Sequence, residues 1–240
     1  MAGRSRGSVL LVGGVGLWPG LFESLARRIT AVLPGVEVVR HVRVGYDGRP
    51  PAASMEELID DVRRAVGAVR APTTLFGELG GATLALALAL ALDPPSGLDG
   101  VVAHEPLLGR HEPELSDLMA NAAARLQSSD PIAAASEFVE HLVGDDAWAA
   151  LPDEARRFAR DHAATICAEV PHFTGWSPEE LRLRVPFMTT VGGASSPARQ
   201  RVARTLRHAG ARTDMTGGGH LASVDDPDVI VAAVRWAHAA

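Results

Sequence analysis

A chain of 240 residues, 47% of them hydrophobic, is long enough to bury one α/β core with room for a subdomain, and too apolar to be disordered. A net charge of -6 without any basic block argues against a nucleic-acid partner. The single cysteine, Cys167, excludes an internal disulfide and suits a reducing cytoplasm, and the 23 basic residues are all arginine, which reads as GC-rich codon usage.

Strand and helix signals alternate from the start. Val9–Gly14 (VLLVGG) reads as a buried strand ending in glycines, and a helix follows with Phe22, Leu25, Ile29 and Leu33 on one face. Val36–Val44 alternates as a second strand. Ser54 caps the next helix, with Glu57 three positions on completing a capping box. Thr73–Gly77 is the third strand. The run ATLALALALALD after it places Leu at every second position, as a strand would, but its length and Ala/Leu content predict a helix buried on most sides. GLDGVVAHEP, VPFMTTVGG and ARTDMTGGG complete six strands, and helices follow the last two. This rhythm predicts an α/β fold: a mostly parallel six-stranded sheet with helices on both faces.

Residues 111–185 break the rhythm. They hold helical segments near Leu115–Leu126, Ile132–Leu142 and Glu154–Ala168 and no convincing strand. An all-helical insertion after a strand end would sit as a lid over the C-terminal edge of the sheet, where ligands bind. The core is therefore residues 1–110 with 186–240. Arg4 and Arg6 before Val9–Val12 mimic a secretory leader, but that run is too short. The uncharged run Leu79–Leu92 has 14 residues, short of the roughly 18 to 20 that span a bilayer. The expectation is a soluble, cytoplasmic protein with no membrane partner.

Four pieces then fall in one order: VGGVGLW after the first strand, FGELGG after the third, AHEPLL after the fourth and GGGHLASVDDP after the last. Together they resemble the α/β-hydrolase superfamily over nearly the whole chain, and HEPLL with the C-terminal stretch is similar to small actinobacterial members of it. The resemblance begins at the strand before the oxyanion loop, so the antiparallel strands that commonly open that fold are expected to be absent. It implies a small-molecule substrate and a catalytic role for His220, whose imidazole suits proton transfer both ways. It places Glu78 at the nucleophile position if the elbow is Phe76–Gly80. A rival alignment makes Glu78 the neighbour of an apex whose serine is deleted. No hydroxyl or thiol stands at the turn under either alignment.

The remaining roles follow from the same resemblance. Ser195 stands where the family often has the acid, Glu105 at the end of the fourth strand is a substitute acid, and Asp225 and Asp226 read as helix caps. Backbone N–H groups near Val15 and at Leu79 are the oxyanion candidates; Trp18 and Trp176 are candidate pocket walls. No cofactor and no metal are expected: no His/Cys cluster has ligand spacing, and GGVGLW lacks the glycines and downstream acid of a dinucleotide fingerprint. A homodimer is left open. Three uses of Glu78 stay open as well: an acid/base partner of His220 in a lyase, isomerase or cyclase reaction, a carboxylate nucleophile as in epoxide opening, or no catalysis, leaving a binding pocket. The resemblance and the codon bias suggest specialised metabolism.

Overall fold

A computed structural model describes residues 7–108, 113–128 and 130–240; Arg4, Arg6 and the expected start of the insertion at residue 111 lie outside them. The strands are β1 Ser8–Val12, β2 Glu37–His41, β3 Thr73–Glu78, β4 Leu98–His104, β5 Phe187–Gly192 and β6 Arg212–Thr216. They form one parallel sheet in the order β2-β1-β3-β4-β5-β6. Helices α1 (Glu23–Val32), α2 (Met55–Ala68), α3 (Gly80–Leu90), α9 (Pro197–His208) and α11 (Pro227–Ala239) connect or follow strands, with the short α10 at Ala222–Asp225. Between β4 and β5 lie α4 (Pro113–Ser128), α5 (Pro131–Val143), α6 (Asp145–Ala150), α7 (Asp153–Asp161) and α8 (Ala163–Gly175). None of the described helices is long and apolar enough to cross a membrane.

Two cores flank the sheet. Leu10, Leu75, Val101 and the helix α3 belong to the larger one, which extends into the insertion through Phe138, Ile166 and Phe173. The smaller one packs Val9, Leu11, Phe76 and Val102 against α1 and α11. The alternation follows from the two-residue period of a strand. The Ala/Leu run is helical because it is buried nearly all round, so no polar face needs to show. Ser54 accepts from the N–H of Glu57 at 3.3 Å, while Glu57 accepts from the N–H of Ala53 at 2.8 Å.

Two boundaries differ from expectation. Strand β2 stops at His41 because Arg43 turns inward: its guanidinium, 4% exposed, pairs with Glu169 of α8 and donates to the Gly14 carbonyl at 2.9 Å. The expected helix Glu154–Ala168 breaks at His162 into α7 and α8. Tyr46 joins the Arg43 network, donating to Glu169 at 2.6 Å and accepting from the N–H of Gly16 at 3.0 Å. The insertion is thereby tied by buried polar groups to the loop after β1.

Candidate active site

The turn between β3 and α3 is tight because its glycines let backbone approach backbone. A Cβ on Gly77 would lie 2.3 Å from the Gly81 carbonyl oxygen, and one on Gly81 would lie 2.2 Å from that of Val12. The left-handed residue of the turn is Leu79, at φ 54° and ψ -116°. The only other non-glycine residue with positive φ among those described is Glu105, at 55°, just past the end of the neighbouring strand. Such backbone costs on the order of 1–3 kcal/mol and concentrates where sites are built.

The strained apex is therefore Leu79, and the five-residue elbow reads Gly77-Glu78-Leu79-Gly80-Gly81. The sequence reading with Glu78 at the apex is corrected by one residue. Glu78 is the last residue of β3 and shares the strand face of Thr74 and Phe76. Thr74 meets His238 of α11, and Phe76 packs edge-on to Phe22. Glu78 points the same way and accepts from both the N–H (2.9 Å) and the hydroxyl (2.7 Å) of Ser223 in α10. It makes no hydrogen bond to His220. Leu79, one step on, joins the opposite core and puts hydrocarbon where a nucleophile would stand.

His220 finds its acid in Glu105. Its Nδ1 lies 2.6 Å from Glu105 Oε2, while Ser195 Oγ, 3.3 Å from the same nitrogen, donates to Glu105 Oε1. The Gly192 N–H donates to Oε1 at 3.0 Å. Arg199 holds the residue from the other side, with Nε 3.3 Å from Oε2 and Nη1 donating to the Glu105 carbonyl at 3.1 Å. Burial alone would raise the Glu105 pKa. The His220 hydrogen bond and the Arg199 charge outweigh that and hold it at about 2. With Nδ1 engaged, Nε2 is the imidazole nitrogen left for chemistry. Next to this pair, His104 is buried with Nδ1 3.0 Å from Thr190 Oγ1; burial pulls its pKa to about 4, so it is neutral.

One expected oxyanion donor moves. The Leu79 N–H is taken by the His104 carbonyl at 2.9 Å, so it cannot face a ligand. The next amide, Gly80, opens α3 and has no acceptor among the described residues, and neither has the amide of Val15. The two are close: a Cβ on Gly80 would lie 3.3 Å from the Val15 nitrogen. Both line a cavity of about 10 Å³ with Leu79, Leu107, Phe138, Leu142, Phe173 and Arg199, room for about one water. Trp18 does not wall this cavity; it lines a groove with Leu21, Leu151 and Ser223 on the α1 side. Trp176 ends α8 and packs on the larger core away from the cavity lining. Ser195 sits inside the Glu105–His220 network rather than in the cavity.

No family model and no curated protein matches the sequence. Solved structures do match. A hydrolase from Pseudomonas aeruginosa PA01 superposes with a TM-score of 0.73 at 19% identity, covering 100% of this chain and 92% of that one. MGS-M2, an α/β hydrolase from a Medee basin deep-sea metagenome library, gives 0.77 at 11% identity, with 100% and 91% covered. The chain has the α/β-hydrolase fold. The enol-lactonase from Burkholderia xenovorans LB400 matches at 0.73 and 17% identity, with 97% and 91% covered. Identities this low establish the α/β-hydrolase architecture alone, and function has to be argued from the site.

Proposed function

We propose that this protein is an enzyme without a covalent nucleophile, in which His220, oriented by Glu105, moves a proton on a small, largely apolar carbonyl compound. The observation that carries the reading is the combination at the elbow: hydrocarbon at the apex, Leu79, two buried N–H groups without acceptors, and a His220–Glu105 pair joined to the same cavity through Arg199. A buried donor left unpaired costs about 1–3 kcal/mol, so a site that keeps two of them side by side favours an oxygen atom there. In the proposed step His220 Nε2 takes a proton from the carbon next to a carbonyl. The C–H electron pair shifts to the carbonyl oxygen, and the Val15 and Gly80 amides hold the resulting negative charge. Returning the proton elsewhere gives an isomerase; expelling a leaving group gives a lyase. Glu105, ionised at every working pH, stabilises the imidazolium and stays ionised itself. Glu78 takes no part, since its carboxylate lies on the other face of β3. Substrate reaches Leu79 when Phe138 and Leu142 of α5 and Phe173 of α8 draw back, which gives the insertion its role as a lid.

A second reading, a ligand-binding protein without turnover, is favoured by one observation: the apex side chain, Leu79, is hydrocarbon and brings no reacting group to the cavity. Deuterium exchange separates the two. In D2O, a panel of small ketones, esters and lactones is expected to exchange the carbon-bound hydrogen next to the carbonyl about 100-fold faster with the wild type than with His220→Ala. Equal rates across the panel would leave only the binding reading.

A further inference from the structure

The cavity at Leu79 holds more donors than one carbonyl oxygen uses. Arg199 is 6% exposed, and its guanidinium borders the cavity beside Val15, Leu79 and Gly80. Nε and Nη1 are engaged by Glu105, but Nη2 has no acceptor among the described residues. Glu105 is also shared, since its carboxylate already accepts from Gly192, Ser195 and His220. A guanidinium carries five N–H groups in a planar fork suited to carboxylates, and the remaining lining, Val15, Leu107, Phe138, Leu142 and Phe173, is hydrocarbon. A largely buried cation that borders an apolar cavity, shares its one counter-ion and keeps an amino group without an acceptor among the described residues fits an anionic group on an apolar body.

We infer that this cavity, opened when Phe138, Leu142 and Phe173 draw back, takes a small carboxylate: one carboxylate oxygen accepts from Arg199 Nη2, the apolar part lies against those three side chains, and the Val15 and Gly80 amides receive a second oxygen. Arg199 is then a residue that selects the substrate as well as a clamp on Glu105. The inference rests on the proposed reading only in taking this cavity as the ligand site, and it requires no turnover.

The test is a titration of the ¹⁵N-labelled full chain with sodium butyrate and, separately, with butyramide, its uncharged counterpart of the same size. Saturable shifts of the Val15 and Gly80 amides are expected with butyrate, at about tenfold lower concentration than with butyramide. Arg199→Gln should bring the two ligands within about twofold of each other, and Arg199→Lys, which keeps the charge and loses the fork, should fall between. Equal affinity of the wild type for both ligands, no saturable shift with butyrate, or shifts confined to other residues would each overturn the inference, whether or not the variants fold. Saturable butyrate binding without deuterium exchange on any substrate would sink the catalytic reading and leave this one standing.

Discussion

Two glutamates end adjacent parallel strands, and the site has made opposite use of them. Glu78 closes β3 and Glu105 follows β4, whose His104 is the register partner of Glu78. Both side chains are withdrawn from solvent. Glu105 gathers a guanidinium, an imidazole, a hydroxyl and an amide, and its pKa falls to about 2. Glu78 has only the amide and hydroxyl of Ser223. Burial raises its pKa, the Ser223 hydrogen bonds lower it less, and the negative charges of Asp225 and Glu105 raise it further, to about 7. A carboxylate at a strand end is thus held charged or pushed toward its neutral form according to which face it takes and whether a cation meets it there. Position in a motif decides neither.

Removing the partnered glutamate should have the largest effect. Glu105→Ala leaves Arg199 buried with its counter-ion gone, and a loss of about 3–5 kcal/mol in urea unfolding is expected; a loss below about 1 kcal/mol would show that the network holds little of the fold together.

The lone glutamate should give the next largest effect, with the opposite sign. Its folded pKa of about 7 lies above the reference 4.5, so between these values the native state binds more protons than the unfolded chain. Glu78 therefore makes the fold less stable as pH rises from 4.5 through 7, by roughly 3 kcal/mol in all. Glu78→Gln should match the wild type near pH 4 and exceed it by about that amount at pH 8. Glu105 slopes the other way: its folded pKa of about 2 is below 4.5, so its contribution is complete above pH 4.5 and is lost as pH falls through about 2. If Glu78→Gln kept the wild-type pH profile, the contrast between the two carboxyls would collapse.

Smaller effects sharpen the same contrast. Ser223→Ala removes a hydroxyl that favours the charged form of Glu78, so about 1–2 kcal/mol should be lost at pH 8. Tyr46→Phe, which frees the Gly16 amide and takes one of its two donors from Glu169 Oε2, should cost about 1–2 kcal/mol with no slope between pH 5 and 8, measured by the same unfolding series.

Much of this architecture was legible in the sequence, because hydrophobic period and glycine punctuation report directly on the sheet. All six strands, the buried Ala/Leu helix and the helical insertion are examples. The pairing of His220 with Glu105 could be anticipated too, since both sit at C-terminal strand ends, where a parallel sheet collects its loops. The apex stays open between Glu78 and its neighbour in the sequence, because consecutive glycines at 80 and 81 allow two alignments of the elbow. The two-residue period would have resolved it, as Glu78 shares the parity of Thr74 and Phe76. The free amide at Gly80 could not be told from that of Leu79 without knowing that the latter pairs with β4. Arg199 leaves a trace in the sequence: it stands at the head of the apolar stripe Val202, Ala203, Leu206 of α9, where an arginine has to find a buried partner. Trp18 and Trp176 left none, because a bulky residue at a helix junction serves core and groove equally well.

Under the proposed function Leu79, at the strained apex of the turn, and not Glu78, occupies the nucleophile position. The direct test is to place serine at each position in turn and expose the folded variants to diisopropyl fluorophosphate, reading the adduct by intact and peptide mass. A serine at the apex attacks phosphorus and expels fluoride only where a histidine can take its proton. Leu79→Ser should be labelled at residue 79 and lose the label when His220→Ala is added, while the wild type and Glu78→Ser stay unlabelled. Labelling of Glu78→Ser with Leu79→Ser inert would contradict the account and return Glu78 to the site.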